Sequence, residues 1–370
     1  MAASTRLAPV REEESPEPEQ LIDNLGDDSE EIIPFRYSVT SYGADYPVDS
    51  LVKRIEDGSI YIPSFQRQFV WTLNKASRFI ESLLLGLPVP GIFLSKEAAT
   101  QKLLVIDGSQ RLRTLQYFYR GLFSDTGREF GLAKEVVQSQ FRGATYRSLS
   151  DEDRRRLDDS ILHATIVRQE EPSDDESSIY HIFERLNTGG VLLQPQEIRA
   201  SIYHGPFSDL LGELNRNARW RELYGNLSPR MRDQELILRF FALFFRSENY
   251  EKPMKEFLNR YMGVNRSLSV HPAALLTKLF DEAVVNVSRG IGQGAFKPRG
   301  GLNAAVCDSV LVGVARRLAK GSVTGVLMRD RYDELLKNRD YTSATEKGTA
   351  DELNVRKRLE LASDSFATLP

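Results

Sequence analysis

The sequence predicts a mixed α/β domain followed by an all-α domain. Between residues 37 and 115, short apolar runs and helical periodicities alternate in the order strand, helix, strand, loop, helix, strand, strand, helix. Beyond Gly225, apolar side chains recur at helical spacing in one segment after another. The length of 370 residues and the hydrophobic fraction of 41% allow two domains of ordinary size, each with its own core.

The first elements follow from local patterns. Residues 37–40 (YSVT) are strand-like, and apolar residues recur at helical spacing over residues 48–55 until an Asp-Gly pair ends the helix. Residues 60–62 (IYI) predict a short strand, which ends at Pro63. Six apolar side chains then define one face of a longer helix, which Thr72 or Asn74 can cap. They are Ala76, Phe79, Ile80, Leu83, Leu84 and Leu87.

Residues 62–71 (IPSFQRQFVW) place a Gln-Arg pair among three aromatic side chains. Pro63 fixes its own φ and removes a hydrogen-bond donor, so the segment is predicted to be a loop. The aromatics fit a small apolar cluster that pins the loop, and they also fit a platform on which bases stack.

A strand is predicted at residues 92–94. It is followed by a strand, a turn and a helix at residues 103–115 (LLVIDGSQRLRTL). Backbone N–H groups at the start of a helix, beside a glycine, offer a site for an anion. Ser109, Gln110 and Arg111 would add donors there. The same pattern fits an ordinary turn in which Asp107 is the N-cap.

The later segments are simpler to interpret. Asp151–Asp159 is typical of a solvated, ion-paired helix, and Ile161–Val167 of a strand. The NTGG segment at residues 187–190 suits the end of a helix. Further helices are predicted at residues 236–245, 257–262, 274–287, 304–318, 326–336 and 352–362.

Composition excludes several classes of protein. No run of eighteen apolar residues exists and the N-terminus lacks an apolar signal segment, so we expect a cytoplasmic protein without membrane contact. Cys307 is the single cysteine, which excludes a disulfide framework and a Cys-rich metal site. The P-loop pattern G-x-x-x-x-G-K-[ST] is absent from the sequence.

The net charge of −3 is unevenly distributed. Residues 1–31 carry ten acidic and two basic residues, so a segment of charge −8 precedes a body of charge +5. Residues 1–33 are therefore predicted to be an acidic, disordered tail, because they cannot bury enough apolar surface to offset ordering. The tail fits a solubilising leader or a mimic of nucleic acid that shields the basic body.

Three ordered motifs resemble the N-terminal domain family of the Gmr-type modification-dependent restriction endonucleases. That family carries I-P-x-x-Q-R-x-x-x-W, D-G-Q-Q-R and F-x-x-I-N-T-G-G elements. This chain has IPSFQRQFVW at residues 62–71, DGSQR at residues 107–111 and FERLNTGG at residues 183–190. Ser109 departs from the family, which usually has glutamine there.

The resemblance implies a fold similar to the ParB and sulfiredoxin superfamily, in which the strand-turn-helix element holds nucleotide phosphates. It further implies binding of a nucleoside triphosphate, GTP foremost, with Mg²⁺. Asp107, Gln110 and Arg111 match the motif as catalytic residues, and Asp107 also as the metal ligand. The implied nucleotide-binding residues are Gln66, Arg67, Gly108, Ser109, Asn187 and Gly189.

The predicted domains are residues 34–205, which carry the nucleotide site, and the helical residues 206–370. Full-length family enzymes add an HNH nuclease domain, which this sequence lacks. The resemblance therefore implies a nucleotide-dependent sensor or regulatory subunit of a prokaryotic anti-phage restriction system, with DNA and a separate nuclease or effector as partners. Such a subunit would hydrolyse the nucleotide as an NTPase.

Two alternatives remain open. Ser109 shortens the reach of a motif side chain, which favours a DNA-binding or scaffold protein with a degenerate nucleotide pocket. The residues Arg199 to His204 fit the R-x4-H pattern of HEPN ribonucleases, which also arises by chance, so a nuclease in its own right is the third hypothesis.

Overall fold

A computed structural model describes residues 38–62, 69–97, 100–124, 127–171, 180, 182, 194–321, 323 and 327–369. The acidic tail predicted at residues 1–33 lies outside the described residues. Contacts within the chain define two compact units. The sheet unit contains residues 30–215 and 229–278, and the helical unit contains residues 216–228 and 279–370.

A five-stranded mixed sheet forms the centre of the sheet unit. Its strands, in spatial order, are β1 (Ser38–Pro47), β7 (Ile161–Glu171), β3 (Ile92–Lys96), β4 (Leu103–Asp107) and β2 (Ile60–Tyr61). β1 runs antiparallel to β7, β7 parallel to β3, β3 antiparallel to β4, and β4 parallel to β2. Two further strands, β5 (Leu122–Phe123) and β6 (Arg128–Glu129), form a separate ribbon.

Four helices lie between these strands in sequence, namely α1 Val48–Glu56, α2 Leu73–Leu84, α3 Ser109–Arg120 and α4 Asp151–Asp158. The side chain of Thr72 caps α2 by accepting a hydrogen bond from the Lys75 N–H. The predicted apolar face of α2 is buried, except that Leu87 lies beyond the helix and is exposed. α4 buries only Leu157, as its charged sequence predicts.

Two apolar clusters hold the sheet unit together. One packs α2 and the second half of α3 against residues 130–157, with Phe79, Ile80 and Phe118 at its centre. The other lies between α1 and the sheet and includes Leu112 of α3. α3 is therefore fixed on two sides, so the residues at its N-terminus are held in a defined position.

From residue 194 onward, the described residues form helices and the segments that join them. The α-helices are α5 Pro195–Ile202, α6 Pro206–Leu214, α7 Ala218–Tyr224, α8 Arg232–Arg246, α9 Met254–Asn265, α10 Ala273–Gly290, α11 Ala304–Leu318, α12 Met328–Lys337, α13 Arg339–Glu346 and α14 Glu352–Ala367. In the helical unit, α11 and α14 approach so closely at Gly313 that a Cβ there would lie 2.9 Å from the Ala362 backbone. No helix among the described residues is long and apolar enough to span a bilayer.

The prediction of a mixed α/β region followed by helices is confirmed. The predicted order of strands and helices through residue 115 matches β1 to α3 element by element. The strand predicted at residues 37–40 extends further, to Pro47, because β1 pairs with β7 along its whole length. The ParB-like fold and the boundary near residue 205 remain predictions.

Candidate functional site

The turn between β4 and α3 depends on a glycine. Gly108 has φ +100° and ψ 8°, in the left-handed region that side chains disfavour. A Cβ at this position would lie 3.0 Å from the Ile92 Cβ and closer still to another atom of that side chain. Backbone conformation and close packing therefore both require glycine where the DGSQR motif has one.

The N-terminus of α3 has no side-chain cap. Gly108 occupies the N-cap position, and the carboxylate of Asp107 accepts a hydrogen bond from Arg111 instead. The N-cap interpretation of Asp107 is therefore wrong. Uncapped N–H groups at the positive end of a twelve-residue helix leave room for an anionic group.

Arg111 folds back over the turn. Its Nη2 donates to the Asp107 Oδ2 at 2.8 Å and to the Gly91 carbonyl oxygen at 2.8 Å. The Arg111 side chain is 15% exposed and that of Asp107 44%. The Arg111 Nε is buried without a hydrogen-bond partner. Arg111 therefore holds a largely buried positive charge at the mouth of the turn, and its Nε donor is unused.

Gln110 serves a purpose that the sequence did not indicate. Its Oε1 accepts hydrogen bonds from the backbone N–H groups of Val70 at 2.9 Å and Trp71 at 3.2 Å. One carboxamide thus joins the end of the IPSFQRQFVW segment to the first turn of α3. The geometry makes Gln110 a positioning residue, and the catalytic role that the motif predicts for it stays a prediction.

The aromatics at the end of that segment belong to the core. Phe69 packs edge-on against Tyr117 and Phe123, with ring centroids 5.1 and 5.5 Å apart. Trp71 packs in the same way against Phe79 at 5.7 Å. For these two side chains the structure supports the apolar cluster over the base-stacking platform.

The remaining predicted residues divide into two groups. Ser109 is half-buried at the first position of α3, beside Gly108 and one residue before Gln110. The other four predicted nucleotide-binding residues lie outside the described residues and stay predictions. They are Gln66, Arg67, Asn187 and Gly189.

Arg199 of the R-x4-H pattern is inaccessible. It is 1% exposed, and its guanidinium donates to Glu235 at 2.9 Å, to Gln196 at 2.9 Å and to Asn259 at 2.9 Å. His204 lies instead beside Glu97 and Arg266. A buried arginine with three polar partners holds α5 against α8 and α9, and it cannot reach a substrate.

Helix α5 is buried from Gln196 to Ile202 although half of its residues are polar. Beside the Arg199 network, Glu197 pairs with Arg230 at 2.8 Å and accepts from the Gln194 N–H at 2.6 Å. The sequence alone does not reveal this network, because its partners come from later helices. A capping-box pattern of Gln194 and Glu197 was the one local signal.

Metal-ligating side chains are sparse in the part of the chain that the structure describes. There, no group of three or more His, Cys, Asp or Glu side chains could hold a metal ion. Asp107 stands alone at the turn, with Oδ2 engaged by Arg111. A metal ion at the turn would therefore need further ligands from a bound molecule or from water.

Comparison with known proteins agrees with the motifs. Residues 48–204 match the family described as GmrSD restriction endonuclease, N-terminal domain. No curated protein matches the chain. The matched range begins with α1, contains the β4–α3 turn and ends two residues after α5. Residues 48–204 of this chain are therefore similar to the N-terminal domain of the GmrSD restriction endonucleases.

Proposed function

We propose that this chain is a nucleotide-dependent sensor or regulatory subunit of a restriction system that acts on DNA with a partner effector. The family description supports the restriction-system role, since it is the N-terminal domain of a restriction endonuclease. The nucleotide, DNA and effector are part of the proposal.

The β4–α3 turn is the observation that carries the proposal. A left-handed Gly108, an uncapped helix N-terminus and the Arg111 guanidinium lie together at the end of a strand. Ligands of α/β sheets commonly bind at the carboxyl ends of strands. A triphosphate placed there would meet backbone N–H groups and, when Arg111 leaves Asp107, a guanidinium suited to phosphate oxygens.

Asp107 fits a role in holding Mg²⁺ with the nucleotide. Its Oδ1 has no hydrogen-bond partner among the described residues, and its side chain is 44% exposed. Mg²⁺ in nucleotide sites is usually held by one or two carboxylates together with substrate phosphates and water. The bound ion would neutralise charge that develops on the phosphates.

A second candidate is a DNA-binding or scaffold protein whose nucleotide pocket is inactive. One observation favours it. Arg111 already has two oxygen partners within the protein, Asp107 and the Gly91 carbonyl, so the turn is complete without a ligand. In that case Arg111 only stabilises the loop before β3.

Titration calorimetry with GTP, ATP and CTP in the presence of Mg²⁺ separates the two candidates. We expect the wild type to bind one nucleotide and Arg111→Ala to bind it at least tenfold more weakly. In a separate assay of phosphate release, we expect Asp107→Asn to have lost the activity. Arg120→Ala, at the other end of the same helix, removes an exposed arginine that pairs loosely with Glu56 at 3.5 Å and should bind as the wild type does.

Folding of each variant is checked by circular dichroism, so that a loss of binding is not a loss of structure. If the folded wild type binds none of the three nucleotides, the sensor proposal fails. The second candidate then predicts that the protein still binds duplex DNA.

A further inference from the structure

A small cavity lies between α8 and α9, outside the range that matches the family. Its volume is about 210 Å³. The residues that line it include Arg246, Arg260, Asn249, Phe257 and Tyr261. Among the described residues that line this cavity, two are cationic and none is a carboxylate, which gives it a positive character.

The two arginines differ from their neighbours. In the same unit Arg199, Arg230 and Arg266 each pair with a carboxylate. Arg246 and Arg260 are exposed, and neither guanidinium forms a hydrogen bond or an ion pair with a described residue. Two guanidinium groups without counterions beside one cavity are suited to a shared anionic ligand.

The floor of the cavity is preorganised. Phe257 and Tyr261 are 5% and 4% exposed, and Asn265 donates through Nδ2 to the Tyr261 carbonyl at 2.9 Å. His271 contacts the Asn265 Oδ1 through Nδ1 at 2.8 Å and stacks on Phe245 with centroids 3.9 Å apart. An aromatic floor below cationic side chains offers both a surface for a base or sugar and charge for a phosphate.

We propose that this cavity binds the phosphate of a nucleotide unit, held between Arg246 and Arg260, with the attached sugar or base against Phe257 and Tyr261. The volume is below the range of about 300–1,000 Å³ that is typical for a whole drug-sized ligand. The site therefore takes one phosphate with part of its nucleoside. A free mononucleotide and a nucleotide within DNA present this same chemistry.

His271 provides a reporter for the site. Burial and the nearby charge of Arg246 lower its pKa below the ordinary value of 6.5. Besides Arg246, its polar neighbours are the Tyr261 hydroxyl at 3.3 Å and Asn265. An anion bound at Arg246 offsets the positive charge, so the His271 pKa rises toward its ordinary value.

Binding is measured by fluorescence anisotropy with a labelled single strand and a labelled duplex, and by calorimetry with a mononucleotide. We expect Arg246→Ala and Arg260→Ala each to weaken binding about tenfold, which is 1.4 kcal/mol. Arg142→Ala removes an exposed guanidinium that has no hydrogen bond or ion pair among the described residues and should change nothing. If the two cavity variants lose affinity only for DNA, the natural ligand is a phosphate of nucleic acid. If they lose affinity for the mononucleotide, the ligand is a free nucleotide.

The proton resonances of His271, assigned with a His271→Gln variant, are then titrated with and without the ligand that binds. We expect a higher pKa in the complex, and no rise in Arg246→Ala. Arg111→Ala, which alters the β4–α3 turn, should leave the response intact. Unchanged affinities in both cavity variants, or a His271 pKa that does not move, would overturn the proposal.

Discussion

Replacing Gly108 by alanine tests whether the β4–α3 turn has the conformation described. The substitution adds a Cβ at φ +100°, where it meets the side chain of Ile92. Ile92 belongs to the core between α1 and the sheet and is 1% exposed, so it has little space to move. The substitution therefore strains the backbone and overpacks the core at one position.

The two effects have separate magnitudes. A non-glycine residue in the left-handed region costs roughly 1–2 kcal/mol. Overpacking of a well-packed core costs about 1–3 kcal/mol more. We expect the free energy of unfolding of the sheet unit to fall by about 2–5 kcal/mol in Gly108→Ala.

Gly121→Ala is the matched control, at the other end of α3. Gly121 has φ +77°, and a Cβ there would have no atom within 4 Å. It should therefore show the backbone cost alone, about 1–2 kcal/mol. The difference between the two variants isolates the contact with Ile92.

Urea unfolding is followed by the fluorescence of Trp71, in a Trp220→Phe background. Trp71 is one of two tryptophans in the chain and packs on Phe79 in the sheet unit, so its emission reports that unit. With a slope of about 1–3 kcal/mol/M, the midpoint of Gly108→Ala should fall by about 1 M or more. Equal losses in the two glycine variants would refute the close packing of the turn.

Three further predictions concern other contacts. Gln110→Ala removes the acceptor of two backbone N–H groups and should destabilise the sheet unit by about 1–2 kcal/mol, measured by urea unfolding. In Glu97→Gln, the free energy of unfolding should fall less steeply than in the wild type as the pH drops below 4.5. Burial alone would raise the Glu97 pKa, but hydroxyl hydrogen bonds and two positive neighbours outweigh it, so the folded pKa lies below 4.5 and its stabilisation disappears as the pH falls. Arg358→Met leaves the fully buried Asp308 without its ion pair and should cost about 3–5 kcal/mol, measured by thermal unfolding.

Each of these has its own control. Gln110→Glu keeps an acceptor oxygen and should retain most of the stability. If it destabilises as much as Gln110→Ala does, the carboxamide acts in some other way. If Glu97→Gln loses as much stability at low pH as the wild type does, the pKa argument is wrong. The double variant Arg358→Met with Asp308→Leu removes both charges, so it should be more stable than Arg358→Met alone.

Local pattern was sufficient for much of the fold. Apolar spacing placed α2 and the strand that ends at Asp107, because those side chains face one core. Spacing did not reveal the order of strands in the sheet, since β7 pairs with β1 and β3 over more than sixty residues of sequence. It also did not reveal that α5 is buried, because Glu235 and Asn259 become partners of Arg199 only through tertiary packing.

The candidate site was predicted in position and only partly in its contacts. The Asp-Gly pair indicated the turn, and Gly108 and Arg111 lie there as expected. The N-cap alternative for Asp107 failed because a side chain four residues later pairs with it. The role of Gln110 could not be predicted, because its partners are backbone groups forty residues earlier, which carry no sequence signal.

The discontinuity of the sheet unit limits how the protein can be shortened. A fragment that ends at residue 204, where the family match ends, would lack residues 229–278 of that unit. It would leave Arg199 without Glu235, Glu197 without Arg230 and Glu97 without Arg266. Charges buried in the intact chain would face water or remain unmatched, so biochemical work on the turn calls for a polypeptide that continues at least to residue 278.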